Sequence, residues 1–239
     1  PVLVVDQVSA GPVQDASFTL HAGEILGLAG MVGSGRSELA RALFGADPLT
    51  RGHVMLNGVP LRTHNPRRAI RAGLTLAPED RKRQGLFLPQ PIRQNLTLPI
   101  LSRLTRLGVI QRRQETSTVL QAQRELAIHM ASPEQPVQYL SGGNQQKVVL
   151  ARWLQTAPRV IILDEPTRGI DVGAKFEIYQ LMRRLTDQGV AILMISSELP
   201  EILGMSDRIL VMNSGRIAGE LQRNEASEEK IIDLATSHH

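Results

Sequence analysis

Three short strings in this sequence combine residues able to hold phosphate, a cation and an attacking water. The first, Gly30-Met31-Val32-Gly33-Ser34-Gly35-Arg36-Ser37, fits the spacing G-x-x-x-x-G-R-S. Gly30, Gly33 and Gly35, with Ser34 between them, let successive backbone N–H groups turn toward one point. A helix behind them adds its positive end. Such a loop can cradle a triphosphate, and Ser37 is placed to bind Mg²⁺ through its hydroxyl. Arg36 stands where the P-loop pattern asks for Lys. Taken alone, the same string also reads as an ordinary strand–turn–helix corner.

The second string, Val160-Ile161-Ile162-Leu163-Asp164-Glu165-Pro166-Thr167, is an apolar strand ending in two carboxylates. That delivers both to the carboxyl edge of a sheet, where ligands bind in open α/β folds. Asp164 suits Mg²⁺, and Glu165 can polarise a water. An acidic helix N-cap is the simpler alternative. The third string, Tyr139-Leu140-Ser141-Gly142-Gly143-Asn144-Gln145-Gln146-Lys147, places Ser141 as a helix N-cap. Gly142 and Gly143 then expose N–H groups at the positive end, a third anion trap. A plain capped helix start has the same local pattern.

These strings need elements to hold them. Leu3, Val4, Val5 and Val8 read as one strand, Phe18–Leu20 as a second and Glu24–Ala29 as a third with both faces covered. Arg36–Phe44 has Leu39, Ala40 and Leu43 at helical spacing, closed by Gly45 and Pro48. Asn57-Gly58 signals a hairpin, Pro66–Ala72 a short helix and Leu74–Ala77 a strand. Helix formers dominate Gln111–Met130, with a break at Ser132-Pro133. Strands at Val160–Asp164, Val190–Ser196 and Ile209–Met212 alternate with helices at Ala174–Gln188 and Glu198–Gly204. That alternation means a parallel sheet covered by helices.

Composition bounds the reading. A chain of 239 residues with 42% apolar content can bury a substantial core. Lys and Arg number 27 against 23 Asp and Glu, a net charge of +4, and the isoelectric point is about 9.9. The simplest account is a solvated Arg-rich surface, into which Arg81-Lys82-Arg83 fits. An aromatic content of 3% argues against a base-stacking platform. With no cysteine there is neither disulfide framework nor thiolate metal site. The apolar runs fall far short of a bilayer span, so any membrane role is peripheral. The chain opens on Pro1 rather than Met and is expected to be processed or excised.

In this order on one chain, the strings resemble the ATP-binding cassette (ABC) ATPases. The resemblance runs throughout the length and is nearest to the second, C-terminal cassette of tandem ATPases that energise bacterial monosaccharide importers of the ribose, galactose and xylose type. Gly33–Ser37, Ala77–Leu86, Leu140–Lys147, Asp164–Asp171 and Ser196–Glu201 carry it. The resemblance implies an α/β P-loop NTPase fold: a mainly parallel core, an antiparallel β portion and an inserted α-helical subdomain. One ABC domain over 1–239 is expected, with its nucleotide-binding core at 1–79 and 157–239 and the signature subdomain at 80–156. It implies ATP and Mg²⁺ as cofactors, with Gly30–Ser37 as Walker A loop and Leu140–Gln145 as signature. Asp164 with Ser37 would hold the metal. Glu165 stands at the catalytic base position, Glu79 at the Q-loop position beside phosphate and metal, Asp171 in the D-loop and Ser197 at the switch-histidine position. The implied partners are a second cassette, pairing head to tail so that each ATP lies between one Walker A and the other signature, transmembrane permease subunits, and indirectly a sugar-binding protein. No nucleic acid is expected, and the location is the cytoplasmic face of the membrane.

The departures from the family pattern point one way. Arg36 is a wide planar fork where Lys is a compact point charge. Glu79 replaces an amide, Ser197 lacks an imidazole, and no aromatic lies between Val8 and Ala16 to stack on adenine. The expectation is an ATPase of a carbohydrate importer whose own Walker A site is weakened. Its rivals are a regulatory cassette that holds ATP without hydrolysing it and a soluble ABC ATPase working on nucleic acid.

Overall fold

The computed structural model describes residues 1–62 and 64–237. In chain order the elements are β1 (Leu3–Ala10), β2 (Val13–Leu20), β3 (Ile25–Gly30), α1 (Arg36–Phe44), β4 (Arg51–Leu56), β5 (Val59–Leu61), α2 (Pro66–Ala72) and β6 (Leu74–Ala77). Next come α3 (Ile92–Thr97), β7 (Thr105–Arg106), β8 (Val109–Ile110), α4 (Arg112–Glu125) and α5 (Gly142–Leu154). The chain ends with β9 (Val160–Asp164), α6 (Val172–Asp187), β10 (Ala191–Ile195), α7 (Leu199–Met205), β11 (Arg208–Asn213), β12 (Arg216–Gln222) and α8 (Glu228–Thr236). They fall into two compact units, one of Pro1–Leu76, Pro158–Pro166 and Met182–His239, the other of Ala77–Ala157 and Thr167–Leu181.

The first unit is built on a six-stranded sheet in the order β12-β11-β3-β10-β9-β6. β11, β3, β10 and β9 run parallel, and β12 closes one edge antiparallel. Every residue of β9 and β10 is buried. That is the pattern of central parallel strands, and it explains why both are continuous apolar runs. Asp164 lies opposite Ile195 in the register, and Ile195 opposite Leu28, so β9 and β10 end at one level and β3 runs two residues further, to Gly30. A second, antiparallel sheet has the order β2-β1-β4-β5. Its β4–β5 turn is Asn57-Gly58, both with positive φ, as the hairpin signal requires.

The second unit is mainly helical. The helix expected over Gln111–Met130 is shorter, Arg112–Glu125. The backbone turns left-handed at Ala127, with φ 47, and the Lys147 ammonium donates to the Ala127 carbonyl at 2.8 Å. α3 has six residues, too few to persist alone in water. Arg93, buried, donates to Glu115 Oε2 of α4 at 2.8 Å and to both carboxylate oxygens of Glu134 at 2.6 and 3.0 Å. On its other side the Arg152 guanidinium of α5 donates to the Asn95 carbonyl at 2.6 Å and to Asn95 Oδ1 at 2.9 Å. Burial pulls the Arg152 pKa down to about 10, which leaves it cationic at neutral pH.

Before α3 the chain makes a single π-turn, Arg81–Gly85, capped by Asp80 Oδ1, which accepts from the N–H groups of Lys82 and Arg83. The hairpin β7–β8, the strand β12 and the helix α8 have no counterpart in the sequence reading. β12 is only half-buried, so its residues carry no clean apolar alternation.

Candidate functional site

In the first unit, the loops that follow the parallel strands β3, β9 and β10 bring the expected nucleotide-handling residues to one edge. Gly30–Ser37 leads from β3 into α1. Gly35, the N-cap of α1, has φ 99. A side chain there would be strained, and its Cβ would meet Met212 and Val13 at 3.3 Å. The Gly215 N–H donates to the Ser34 carbonyl at 3.0 Å and buttresses the loop from behind. Ser34 Oγ is buried without a hydrogen-bond partner.

Asp164 ends β9 and is 5% exposed. Burial is the main reason its carboxyl is pushed up to about 6 from 3.8; Glu165 adds to the rise, while a hydrogen bond with the Ser37 side chain and the charges of Arg36 and Arg41 oppose it. Its Oδ1 is buried and unpaired. An unpaired buried carboxylate oxygen next to a serine hydroxyl is a donor pair suited to a hard cation. Among the described residues no group of three or more His, Cys, Asp or Glu forms a metal cage. Mg²⁺ held by Ser37 and Asp164 would therefore take its remaining oxygens from phosphate and water, as Mg²⁺ usually does.

Glu165 follows in the left-handed region, φ 50, which is strained for a non-glycine residue. Its N–H donates to the Ile195 carbonyl at 2.9 Å, and its Oε2 accepts from the Ser197 hydroxyl at 3.1 Å. Glu165 and Ser197 thus form a direct pair, and Ser197 orients the carboxylate. Arg36 is 7% exposed, and its Nη1 donates to the Ser196 carbonyl at 2.7 Å. Burial lowers the Arg36 pKa, against the opposing influence of Glu165 and Asp164. The cation of the glycine loop is thereby committed to the backbone one residue before Ser197. Sequence reasoning placed Arg36 on phosphate and did not foresee this partner.

The remaining residues belong to the second unit. Ser141 caps α5, its Oγ accepting from the Asn144 N–H at 3.4 Å and from Asn144 Nδ2 at 2.9 Å. The two glycines after it have packing reasons of their own. A Cβ on Gly142 would lie 2.8 Å from Arg81 Nη2 and 3.0 Å from the Gly169 carbonyl, and one on Gly143 would lie 2.5 Å from the Ala174 Cβ. Asp171 caps α6, its Oδ1 accepting from the Ala174 N–H at 2.9 Å. Lys147, at the end of the signature string, is 4% exposed and ion-paired with Glu177 at 2.6 Å. Glu79 is ion-paired with Arg168.

Arg81 is the residue that sequence reasoning missed. Its two neighbours in the basic run, Lys82 and Arg83, are exposed as expected. Arg81 instead turns inward and donates to the carbonyls of Arg168 at 2.7 Å and Gly169 at 3.2 Å. The only local signal was its position two residues after Glu79.

Known proteins place this arrangement. A family profile described as "ABC transporter" matches residues 13–168. The ribose import ATP-binding protein RbsA of Bacillus subtilis (strain 168) is 51% identical over 226 residues, covering 95% of this chain and 46% of that protein. Ribose import ATP-binding protein RbsA 1 of Rubrobacter xylanophilus is 52% identical over 231 residues, with 95% and 46% covered. The chain thus spans about half the length of the curated relatives it matches. In fold it is similar to the ATP-binding cassette MJ0796 in a dimeric post-hydrolysis state bound to ADP and Pi, with TM-score 0.79, 19% identity, and 92% of this chain and 98% of that one covered. With its glycine loop, its strand-terminal carboxylate pair and its capped glycine helix, this chain belongs to the ABC transporter family, as an α/β ATP-binding cassette.

Proposed function

We propose that the chain is the ATP-binding and ATP-hydrolysing cassette of a bacterial carbohydrate importer, coupling nucleotide binding and hydrolysis to sugar uptake. The observation that carries this reading is Asp164: a buried carboxylate with one unpaired oxygen, beside Ser37 and behind a glycine loop. Its likeness to proteins named for ribose import makes a pentose the leading cargo class. Ser37 and Asp164 hold Mg²⁺, which would neutralise phosphate charge. Glu165, oriented by Ser197, holds a water for attack. The nine-residue helix α1 points its positive end at the phosphates.

Within this reading the chain's own Walker A site is the weaker of two. Arg36 enters the site already bound to Ser196, and Ser197 brings a hydroxyl where the family places an imidazole. The stronger nucleotide lies on a second cassette and meets Ser141, Gly142, Gly143 and Asp171 of this one. Permease subunits dock against the 86–98 neighbourhood, where Phe87 is 54% and Leu98 is 47% exposed. A sugar-binding protein delivers cargo on the other side of the membrane. Among the described residues no helix is long and apolar enough to cross a membrane, which fits a subunit held peripherally on the cytoplasmic face. The commitment of Arg36 also favours a second reading, a regulatory cassette that binds ATP without hydrolysing it.

Titration calorimetry with MgATP and a phosphate-release assay on the purified chain test these readings together. Measurable binding with slow turnover is expected. Submicromolar affinity with rapid turnover would overturn the weakened site, and absence of binding would overturn the ATP-binding role.

A further inference from the structure

The basic side chain of Arg81 does not behave as part of a surface charge run. It leaves the π-turn at residues 81–85, a local geometry that recurs at functional sites. Its two terminal nitrogens take the carbonyls of consecutive residues, Arg168 at 2.7 Å and Gly169 at 3.2 Å. Its Nε is buried and has no partner, so those two bonds carry the side chain's polar anchorage. Gly169 has φ 66, and its carbonyl also faces the position where a Gly142 Cβ would stand, at 3.0 Å. The guanidinium itself lies 2.8 Å from that same position. One planar cation is thus wedged between the loop at 168–171 and the first turn of α5. Glu79, two residues earlier in the bend after β6, ties the loop a second time through Arg168.

A guanidinium is suited to this task because its donors sit on separate nitrogens in a fixed planar fork that spans two neighbouring carbonyls, whereas a Lys ammonium offers all its donors from one rotatable point. The carbonyls it takes are those of a short exposed loop with no ladder to hold it; Arg168 and Gly169 are both exposed. Without the fork, the backbone carbonyls of Arg168 and Gly169 would lose these donors, leaving the loop tied by the Glu79 pair through the Arg168 side chain and by the Asp171 cap at its far end.

We propose that Arg81 is a positioning residue for ATP hydrolysis: it fastens the loop at 168–171 to the start of the α5 helix, so that both present one fixed surface to a nucleotide. This rests on the reading above, in which that nucleotide belongs to a second cassette. Arg81 itself touches neither nucleotide nor metal and acts through the backbone it holds.

The test uses the protein at its natural full length. Arg81→Ala, Arg81→Lys and, as a neighbour of like charge outside the machinery, Arg83→Ala are compared for kcat, KM for MgATP, thermal melting and hydrogen exchange at residues 168–171. In Arg81→Ala we expect kcat to fall about tenfold to a hundredfold, the scale of losing a positioned geometry, while KM changes less than about twofold. Exchange at 168–171 should rise by at least about tenfold, the equivalent of one lost hydrogen bond of ordinary strength. Arg81→Lys keeps the charge but not the fork and should share the loss, whereas Arg83→Ala should match the unaltered protein. Full kcat in Arg81→Lys would overturn the proposal, because charge alone would then suffice; so would unchanged exchange at 168–171. If Arg81→Ala melts early, the Lys variant decides alone, since it retains bulk and charge. If the unaltered protein shows no turnover, the ATPase reading fails, while the exchange measurement still reports whether Arg81 holds the loop.

Discussion

Arg36 Nη1 donates to the Ser196 carbonyl at 2.7 Å, joining the glycine loop at 30–37 to the segment that carries Ser197. A charge-assisted bond of this kind contributes about 1.5–3 kcal/mol, which nucleotide binding must either preserve or replace. Arg36→Lys should release it and return a compact cation to the phosphate loop. The expected outcome is MgATP binding tighter by about tenfold, the equivalent of about 1.4 kcal/mol. Calorimetry on the two proteins side by side measures it, and equal or weaker binding by the Lys variant would refute this account of the site.

Asp164 ties stability to pH. Folding raises its carboxyl from 3.8 to about 6, mainly by burial. The ionised form is therefore the disfavoured one in the folded protein. The penalty is absent below the unfolded value of 3.8, grows between 3.8 and about 6, and is complete above that. At about 1.4 kcal/mol per pH unit it reaches roughly 3 kcal/mol. Asp164→Asn should raise the melting temperature of the nucleotide-free, Mg²⁺-free protein at pH 8 and leave it nearly unchanged at pH 4. An equal gain at both values would mean that charge burial is not the cause.

Gly143 has no space for a side chain. A Cβ there would lie 2.5 Å from the Ala174 Cβ, on the helix that Asp171 caps. Gly143→Ala should destabilise the second unit by about 1–3 kcal/mol through overpacking, visible as an earlier urea transition. Gly143→Ala,Ala174→Gly together should recover most of that loss. A double variant no better than the single one would show that Gly143 is required for something other than fit.

Glu165 and Ser197 are joined at 3.1 Å, yet they stand in the site read here as the weaker. Glu165→Gln should lower sugar uptake by the complete transporter less than about threefold, a barrier change under about 1 kcal/mol. The same exchange at the corresponding carboxylate of the partner cassette should be far more damaging. Abolished uptake in Glu165→Gln would make this site fully catalytic and remove the asymmetry.

How far the sequence reveals these features depends on the range of the interaction involved. α1, at Arg36–Phe44, is legible to the residue because its apolar spacing and its glycine stop act locally. β9 and β10 are legible because both faces are buried, which forces continuous apolar runs. The end of α4 is not, although it too is local: the Ala127 and Ile128 N–H groups turn back to the Arg124 and Gln123 carbonyls with Ala127 left-handed, and an alanine there carries none of the stop signal of a glycine. In the site, Asp164 beside Ser37 follows from strand-end logic and motif spacing. The partners of Arg36 and Arg81 do not, since both are backbone carbonyls far along the chain, and a carbonyl leaves no residue-type signature. Gly142 and Gly143 show the same limit: their spacing suggests room for an anion, while the observed need is room for Arg81 and Ala174.

The short helix α3 is bolted at two places by buried guanidinium groups, Arg93 toward α4 and Arg152 from α5. Mechanically it is a strut rather than a spring. Six residues alone would bend and fray under a small load, but a segment pinned by charged forks on both flanks can only translate with its neighbours. If permease subunits press on residues 86–98 as proposed above, these bonds would carry the push to the shaft of α5, whose other end is Ser141. Arg93 and Arg152 would serve there by joining α3 to α4 and α5 rather than by any contact with nucleotide.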